Sequence, residues 1–388
     1  MHVLMVGTDT SLMTQQIGNS RARHEGFAEQ VGRISVAVCN RRVANLEPYL
    51  SDRLHVRPTQ SRSYAHYLLD GYRLALDFHR EQPVDLIAAQ DPFLTALIGL
   101  MLRRRLKVPL IVQDHSSFVE NRYFAAEHPR NRGLQWLARR TLPRADAVRV
   151  ENQQERLACI RLGVPADYVC SIPLAPDIER FLQPANDLQK RECYAKLGIQ
   201  PGTPIVLWVG RPVPVKNLPM LLEAFARVHA ECPGAHLVIA GDVAGTDFPA
   251  KAQALGLVSV IHFPGPIAHA DLPALYQIST IYAHSSNYEG FGLVLVEAGA
   301  SGLPVVSTAT DGAREIVIEG ETGRLVPIGD RNAMANALLS LLRDPAKAAD
   351  MGNHARRTIP QRFDPKDISA RWVAMWPALV AGKPPCGS

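Results

Sequence analysis

Short apolar runs recur along this chain in two series, and helix-forming segments separate them. The runs are Val3–Val6, Ser35–Val38, Leu86–Ala89, Leu110–Val112, Ala147–Val150 and Val169–Ile172, then Ile205–Val209, His236–Ile239, Val260–Phe263, Ile281–Ala283 and Val305–Ser307. Strands that alternate with helices form parallel sheets with helices on both faces. The pattern therefore predicts an α/β protein with two doubly wound, Rossmann-like domains.

The length of 388 residues also indicates two domains, because a single hydrophobic core rarely supports so long a chain. A polar stretch from Gln183 to Pro204 separates the two series, and we interpret it as a linker with a short helix at Leu188–Leu197. We predict a first domain over residues 1–179, a second over 180–365, and a C-terminal helix in 366–388 that returns to the first. Since ligands bind at the carboxyl ends of such strands, the domains are expected to face a central cleft.

Composition is that of an ordinary soluble globular protein, with 47% hydrophobic and 20% charged residues. The apolar run in Met1–Gly7 is short and lacks a basic flank, so we interpret it as a strand and not as a signal peptide. Phe93–Leu102 is about half the length of a membrane-spanning helix and is predicted to be a buried helix. The six scattered cysteines argue against a disulfide framework and favour a reducing cytoplasm.

The net charge of +5 lies entirely in the first half of the chain. Residues 1–180 hold 24 Lys and Arg against 19 Asp and Glu, whereas the remainder holds 18 of each kind. The cluster Arg103–Lys107 contributes to this excess. The asymmetry predicts that the first domain contacts an anionic partner such as an acidic membrane, although a solvated helix end explains the cluster equally well.

The segment from Asn287 to Glu297 carries the strongest chemical signal. Glu289 precedes Gly290-Phe291-Gly292, and an apolar run that can begin a helix follows. Glycines before a helix let a phosphate approach the backbone N–H groups, where the helix dipole favours negative charge. Glu297 lies one turn beyond Leu293 on the same face, where it can accept hydrogen bonds from ribose hydroxyls. The segment therefore predicts a sugar nucleotide, with Glu289 at the sugar end.

Charged and polar residues also follow other predicted strands. Arg211 and Lys216 follow Ile205–Val209. The guanidinium of Arg211 can donate two parallel hydrogen bonds to a diphosphate, and the ammonium of Lys216 can bind it as a compact charge. A solvated loop is an equal alternative. His115 follows Leu110–Val112, where it can meet the reacting sugar or serve as a hydrogen-bonded structural histidine.

Two further segments are weaker candidates for binding, and a zinc site is not expected. The residues Gly7, Thr8 and Asp9 form a candidate acceptor or phosphate loop, and Pro264 can present backbone groups to a base. An ordinary turn explains each of them as well. Since no histidine pair has H-x-x-x-H spacing, we expect no zinc site.

Together these motifs resemble the retaining glycosyltransferases of family 4, which have the GT-B fold. The resemblance rests on Gly210–Asn217, Glu289–Glu297, Ala298–Val306, Asp311-Gly312, Glu315–Val317, Gly320 and Gly323–Val326, and more faintly on Arg144–Val148 and Ile172–Phe181. The chain departs from the usual pattern at three places: Gly7 is nearly alone, His284 replaces a proline, and Leu174-Ala175 replaces Asn-Gly.

The resemblance implies a role for each candidate residue. Arg211 and Lys216 are expected to neutralise the donor diphosphate, Glu297 to bind the ribose, Glu289 to bind the transferred sugar, and His115 to lie beside that sugar. The predicted catalytic residues are His115, Glu289, Arg211 and Lys216. The predicted donor-binding residues are Arg211, Lys216, Glu289, Gly290, Phe291, Gly292, Leu293, Val294, Glu297 and Pro264.

The expected activity is retaining, metal-independent transfer of a hexose from a nucleoside-diphosphate sugar, with UDP favoured over GDP. The expected acceptor is a glycan or a lipid-linked saccharide, and no cofactor or nucleic acid is expected. The expected location is the cytoplasm, with peripheral contact to the inner face of the membrane. Two alternatives stay open, namely a GT-B epimerase or phosphorylase and a catalytically silent subunit that binds sugar nucleotides.

Overall fold

The chain divides into two compact units in the computed structural model, which describes residues 1–14, 20–42 and 46–386. Unit 1 contains Met1–Pro173 together with the residues from Lys366 onwards, and unit 2 contains Leu174–Pro365. The chain therefore enters unit 2 after Pro173, whereas the sequence placed this boundary after residue 179.

Unit 1 is built on a mainly parallel sheet with the strand order β3-β4-β2-β1-β5-β6-β7-β8. Its strands are β1 (His2–Gly7), β2 (Arg33–Val38), β3 (Tyr49–Leu50), β4 (Leu54–Pro58), β5 (Leu86–Ala89), β6 (Leu110–Asp114), β7 (Ala147–Val150) and β8 (Val169–Ser171). Only the short edge strand β3 pairs antiparallel, with β4, among the described pairings of this sheet. The helices before Pro173 are α1 (Ser20–Val31), α2 (Tyr67–Glu81), α3 (Leu94–Leu106), α4 (Arg122–Glu127), α5 (Pro129–Thr141) and α6 (Gln153–Arg161).

Unit 2 contains a parallel sheet with the order β11-β10-β9-β12-β13-β14. Its strands are β9 (Ile205–Val209), β10 (His236–Ala240), β11 (Ile261–Gly265), β12 (Ile281–His284), β13 (Val305–Thr308) and β14 (Gly323–Val326). Its helices are α7 (Glu179–Leu182), α8 (Asp187–Leu197), α9 (Leu218–Glu231), α10 (Phe248–Ala254), α11 (Leu272–Ile278), α12 (Leu293–Ala300), α13 (Asp311–Ile316), α14 (Arg331–Leu342) and α15 (Pro345–Arg362), and α16 (Pro365–Val380) leads back to unit 1.

Both sheets confirm the predicted doubly wound α/β folds. In unit 2 the chain builds outward from β9 in one direction, then returns to the other side of β9 and continues in the opposite direction. Helices on the two sides of such a reversal pack on opposite faces of the sheet, which leaves a crevice at the carboxyl ends of the two central strands. The crevice of unit 2 therefore lies beyond β9 and β12, and that of unit 1 lies beyond β1 and β5.

The stretch that the sequence suggested as a linker is instead packed onto unit 2. Helix α8 lies against α11, and the backbone N–H of Ala185 donates to Oε1 of Gln277 over 2.8 Å. The Nε2 group of Gln277 donates in turn to the carbonyl of Gln183 at 2.7 Å. The prolines in this stretch mark the ends of a docked helix, which is why the composition resembled that of a linker.

The cysteines also differ from the prediction, because Cys170 and Cys386 form a disulfide with a Cα–Cα distance of 5.2 Å. Cys170 lies on the edge strand β8, and Cys386 follows α16. Helix α16 brings the two together by packing on unit 1, where the rings of Trp376 and Phe27 lie 6.0 Å apart. A pairing across 216 positions depends on this return and cannot be inferred from cysteine spacing.

Among the described residues, no helix is both long enough and apolar enough to span a lipid bilayer.

We predict that Cys386→Ser lowers the thermal stability of the oxidised protein. The disulfide closes a long loop and restricts the unfolded chain, so its loss is expected to reduce the free energy of unfolding by about 2–4 kcal/mol. Melting curves with and without reductant measure the effect. Cys193→Ser removes a thiol that is free in the structure and is the matched control. A wild-type protein whose melting temperature does not respond to reductant, or whose six cysteines all titrate as thiols, would contradict the prediction.

Candidate active site

The loops that follow β9 and β12 meet at the switch point of unit 2 and are joined by hydrogen bonds. The hydroxyl of Ser285 donates to the carbonyl of Lys216 at 2.7 Å, and the N–H of Asn287 donates to the carbonyl of Val215 at 2.8 Å. The side-chain amide of Asn217 donates to that of Asn287 at 3.0 Å. These bonds fix the two loops relative to each other, so the charged residues that they carry have defined positions.

Close backbone contact at Gly312 holds the β12 loop from behind. The N–H of Gly312 donates to the carbonyl of Glu289 at 3.0 Å, and a Cβ at position 312 would lie 2.2 Å from the carbonyl oxygen of Phe291. Since no other residue lacks a Cβ, only glycine allows α13 to approach this loop so closely.

Lys216 and Glu289, for which the sequence predicted separate roles, form an ion pair with each other. The Nζ atom of Lys216 contacts Oε2 of Glu289, and both side chains are mostly buried. The Nε2 atom of His284 lies 3.6 Å from the same carboxylate oxygen, which is too far for a hydrogen bond. A cation, a carboxylate and an imidazole therefore converge at the end of β12.

His284 is neutral at this position. Burial, followed by the positive charge of Lys216, lowers the pKa of His284 well below its usual value of 6.5. Its Nε2 atom is buried and has no hydrogen-bond partner in the part of the chain that the structure describes. The ring thus presents a polar atom towards Glu289 without adding a second positive charge beside Lys216.

The start of α12 forms a site suited to an anion. Gly292 precedes the helix in the left-handed region with φ at 96°, and no side chain caps the helix there. The next residues, Leu293 and Val294, are half-buried, and their N–H groups belong to the first turn. Phe291 is buried against Phe363, with ring centroids 5.4 Å apart, and anchors the loop. The helix dipole and these N–H groups favour a phosphate at this end.

Glu297 lies one turn further along α12 and is held by a buried donor. The hydroxyl of Tyr276 donates to Oε2 of Glu297 at 3.0 Å, and Nε2 of His269 lies 3.7 Å from Oε1. Burial, followed by the charge of Glu297, raises the pKa of Tyr276 well above 10, so the hydroxyl keeps its proton. The ring of Phe181 packs edge-on against both Tyr276 and His269. The hydrogen bond from Tyr276 thus fixes the orientation of Glu297, whose side chain is 12% exposed.

Two predicted donor residues occupy more peripheral positions. Arg211 is exposed immediately after Gly210, in the loop that also carries Lys216. Pro264 lies at the carboxyl end of the edge strand β11, separated from β9 by β10. The structure therefore groups Lys216 with the segment from Glu289 to Glu297 and leaves Pro264 further out.

His115 of unit 1 is oriented by a carboxylate that the sequence did not single out. Its Nδ1 atom lies 2.7 Å from Oε1 of Glu151, whose side chain is only 3% exposed. Each residue directly follows a strand, β6 for His115 and β7 for Glu151, so the two meet at the carboxyl edge. Because an ionised carboxylate only accepts, Nδ1 carries the proton of this bond, and Nε2 is at the opposite side of the ring.

The first loop of unit 1 is a turn stabilised by Asp9. Its carboxylate accepts from the N–H of Ser11 and from the hydroxyl of Ser20, each at 2.9 Å. Burial opposes ionisation, but these hydrogen bonds outweigh it and lower the pKa of Asp9. A Cβ at Gly7 would lie 1.7 Å from Oε1 of Gln90, so the glycine permits contact between β1 and the residue after β5. The roles predicted for Gly7, Thr8 and Asp9 stay predictions.

Several contributors to these sites were not found from the sequence. His284, Tyr276 and His269 support the two glutamates. Only His284 directly follows a predicted strand, whereas Tyr276 lies in α11 and His269 just before it. Glu151 had a usable signal, because it follows the strand Ala147–Val150 as His115 follows its own strand. Charged residues that directly follow predicted parallel strands therefore indicate such pairs.

Two family profiles together match most of the chain. Residues 189–358 match the profile described as Glycosyl transferases group 1, and residues 20–175 match the Glycosyl transferase 4-like domain. The chain is 30% identical over 367 residues to a D-inositol 3-phosphate glycosyltransferase of Corynebacterium glutamicum, which covers 92% of this chain and 86% of that protein. A second relative of the same name, from Mycobacterium avium, is 32% identical and covers 66% of this chain and 61% of its own length.

Solved structures with this fold include a sucrose-phosphate synthase from Thermosynechococcus elongatus. It superposes with a TM-score of 0.83 at 24% identity and covers 99% of this chain and all of its own. Anabaena HepE, solved in complex with UDP-glucose, superposes with a TM-score of 0.75 at 22% identity over 98% of this chain and 99% of its own. At these identities the two structures support the fold.

We predict that His284→Gln makes the protein less sensitive to acid. Unfolded histidine takes up a proton near pH 6.5, whereas the buried His284 does not, so its contribution to stability is present above that pH and is lost as the pH falls. Between about pH 7 and about pH 5 the free energy of unfolding should fall by about 2 kcal/mol less in the variant than in the wild type. Urea titrations at both pH values measure this. The exposed His66→Gln is the control, and an identical loss in wild type and His284→Gln would contradict the prediction.

Proposed function

Since this chain belongs to the group 1 glycosyltransferases and has the GT-B fold, we propose that it is a retaining hexosyltransferase that uses a nucleoside-diphosphate sugar, with UDP favoured over GDP. The proposed acceptor is a hydroxyl of a glycan or lipid-linked saccharide in polysaccharide or glycoconjugate biosynthesis. The proposed place of work is the cytoplasmic face of the membrane, reached by peripheral contact. One observation carries the proposal: the Lys216–Glu289 pair, the start of α12 and Glu297 converge at the switch point of unit 2.

We propose one orientation for the donor in this site. Its diphosphate binds at the start of α12, where the helix N–H groups and the charge of Lys216 favour an anion, and Arg211 reaches it from the same loop. Its ribose hydroxyls donate to Glu297, which Tyr276 holds in place. Its sugar meets Glu289 at the other end. The neighbouring structure of HepE was solved with UDP-glucose, which supports a donor of this class.

The ion pair between Lys216 and Glu289 lets the charges of the proposed donor site change partners when a donor binds. In the structure, Glu289 neutralises Lys216. A donor diphosphate placed against Lys216 competes for the same ammonium group, so the carboxylate of Glu289 becomes available to a sugar hydroxyl. Binding then exchanges one charge pair for another and leaves neither charge without a partner, which limits the cost of burying them.

The chemistry proposed for this site is displacement of the diphosphate from C1 of the sugar. The acceptor oxygen forms the new bond to C1, the bond from C1 to the phosphate oxygen breaks, and the acceptor proton passes to the departing phosphate. Negative charge grows on the diphosphate during this step, and fixed cations stabilise it most strongly where it forms. Lys216 and Arg211 are proposed to take this role, so no divalent metal is required.

His115 is the proposed residue on the acceptor side. Its hydrogen bond to Glu151 fixes the ring and the proton on Nδ1, so Nε2 is oriented for contact with a sugar hydroxyl. The relative from Corynebacterium glutamicum is named for an inositol phosphate acceptor. An acceptor screen for this chain therefore includes polyol phosphates beside glycans and lipid-linked saccharides.

We predict that UDP-sugars raise the melting temperature of the protein more than GDP- or ADP-sugars do, with or without EDTA. A ligand that binds only the folded state stabilises it by about 2.7 kcal/mol at a hundred times its dissociation constant, which shifts the melting temperature by several degrees. Glu297→Ala should remove most of this shift, whereas Glu192→Ala, an exposed glutamate of α8, should leave it intact. A melting temperature that no sugar nucleotide changes would reject the proposal, and a shift abolished by EDTA would reject metal independence.

We predict that Glu289→Gln separates donor binding from transfer. The substitution removes the carboxylate that is proposed to hold the sugar, so the rate of transfer should fall by about a hundredfold or more. The affinity for UDP should change by less than about threefold or increase, because Lys216 loses its competing partner. Calorimetry with UDP and a product assay measure the two effects. A parallel loss of UDP affinity would show that Glu289 does not contact the sugar alone.

A further inference from the structure

Helices α3 and α5 of unit 1 carry exposed basic residues that take no part in the sites described above. We call this surface the arginine face and define it by Arg104, Arg105, Lys107, Arg132, Trp136 and Arg140, all of which are exposed. It is separate from the carboxyl-edge residues His115 and Glu151, because it lies on the outer surfaces of helices and not on strand ends.

Helix α5 has two distinct faces. Its buried residues recur at helical spacing and are Asn131, Gln135, Ala138 and Thr141. Arg132, Trp136 and Arg140 follow at intervals of four on the other side, so they form one exposed stripe. The guanidinium of Arg140 lies 5.1 Å from the centre of the Trp136 ring, which shows that the two side chains share this stripe.

Helix α3 contributes Arg104 and Arg105 near its C-terminal end. Arg103 donates two hydrogen bonds of 2.5 Å to Asp146, which lies just before β7. The N–H of Leu110 donates to the same carboxylate at 2.9 Å. These bonds fasten the end of α3 to the segment that follows α5, and the two helices are in contact. Arg104 and Arg105 are exposed at this end of α3, and the α5 stripe lies nearer the other end, where the hydroxyl of Thr141 donates to the carbonyl of Pro92. The arginine face therefore has two basic parts, one on each helix.

Basic residues outnumber acidic ones in this region. Residues 101–144 contain ten Lys and Arg against three Asp and Glu. Of these acids, Asp114 is buried and Glu120 pairs with Arg161. Exposed arginines of unit 2 differ in this respect, since Arg331 and Arg343 pair with glutamates of α9. In the described part of the chain, Arg104, Arg105, Lys107, Arg132 and Arg140 form no ion pair, so their charges can meet an anionic partner.

Trp136 indicates which anionic partner fits this surface. It is 59% exposed, whereas Trp208, Trp372 and Trp376 are buried. Met101 is also exposed, one turn before Arg104 and Arg105 on α3. Nucleic acids are typically held in grooves with stacked aromatic rings, whereas an exposed helix face with a tryptophan among arginines is suited to the interface of a lipid bilayer.

We propose that the arginine face docks unit 1 on an anionic lipid membrane, with Trp136 at the level of the headgroups and the arginines against lipid phosphates. This assignment specifies the peripheral contact that is part of the proposed function. It is tested without donor or acceptor, so its failure and the failure of the sugar-nucleotide assignment are distinguishable.

The test combines sedimentation with tryptophan emission. Vesicles of phosphatidylcholine alone and of an equal mixture with phosphatidylglycerol are added to the protein at low and high salt. We expect sedimentation with the anionic vesicles at low salt only, together with a blue shift of the emission. Trp136→Phe should abolish the blue shift while most of the sedimentation remains. This readout is specific because Trp136 is exposed whereas the other three tryptophans are buried.

A triple variant tests the charge. Arg104→Gln, Arg132→Gln and Arg140→Gln together should weaken vesicle binding by roughly a hundredfold, or about fivefold for each arginine near the surface. The matched control replaces Arg191, Arg331 and Arg357, three exposed arginines of unit 2, by glutamine. Both variants should keep the wild-type melting temperature. Equal weakening by the control, salt-independent binding, unchanged Trp136 emission on sedimented protein, or tighter binding to transfer RNA than to the vesicles would each overturn the proposal.

Discussion

The ion pair between Lys216 and Glu289 is the interaction on which the chemistry proposed for the unit 2 site depends. The reversal of strand order at β9 leaves a crevice between the loops that follow β9 and β12, and each loop contributes one member of the pair. Burying two charges carries a desolvation cost that is easily as large as their attraction. The surrounding hydrogen bonds from Ser285, Asn287 and Asn217 already join the loops. The pair is therefore better explained by a role in binding a charged ligand than by a contribution to stability.

Each glutamate of the site lies beside a buried, uncharged side chain. His284 lies beneath Glu289 and is neutral because of burial and the charge of Lys216, and the protonated Tyr276 lies beneath Glu297. A cationic residue in either place would attract the carboxylate inward and compete with a ligand. A neutral residue fills the space, limits movement of the carboxylate and leaves its outer oxygen available.

The sequence predicted the central strands well because they are buried on both faces and read as continuous apolar runs, such as Ile205–Val209 and Ala147–Val150. It missed β4 and β14, which lie near the sheet edges and include half-buried charged residues such as Arg57 and Arg324. The positions of Glu289 and Glu297 followed from glycine placement and helical spacing, which are local properties. The Lys216–Glu289 pair, the His115–Glu151 pair and the disulfide join residues distant in sequence, so only the fold reveals them.

The two faces of α5 connect the proposed membrane surface to the histidine of unit 1. On the buried face, Nε2 of Gln135 donates to the carbonyls of Phe118 and Asn121 at 2.9 Å each, and Nδ2 of Asn131 donates to the carbonyl of Phe124 at 2.8 Å. These carbonyls belong to the segment that begins at His115 and leads into α4. Because polar side chains replace apolar ones on this face, the helix fixes the backbone path by directional bonds and not by packing alone. A helix whose outer face rests on lipid would therefore hold the loop that carries His115 in a fixed position relative to the membrane.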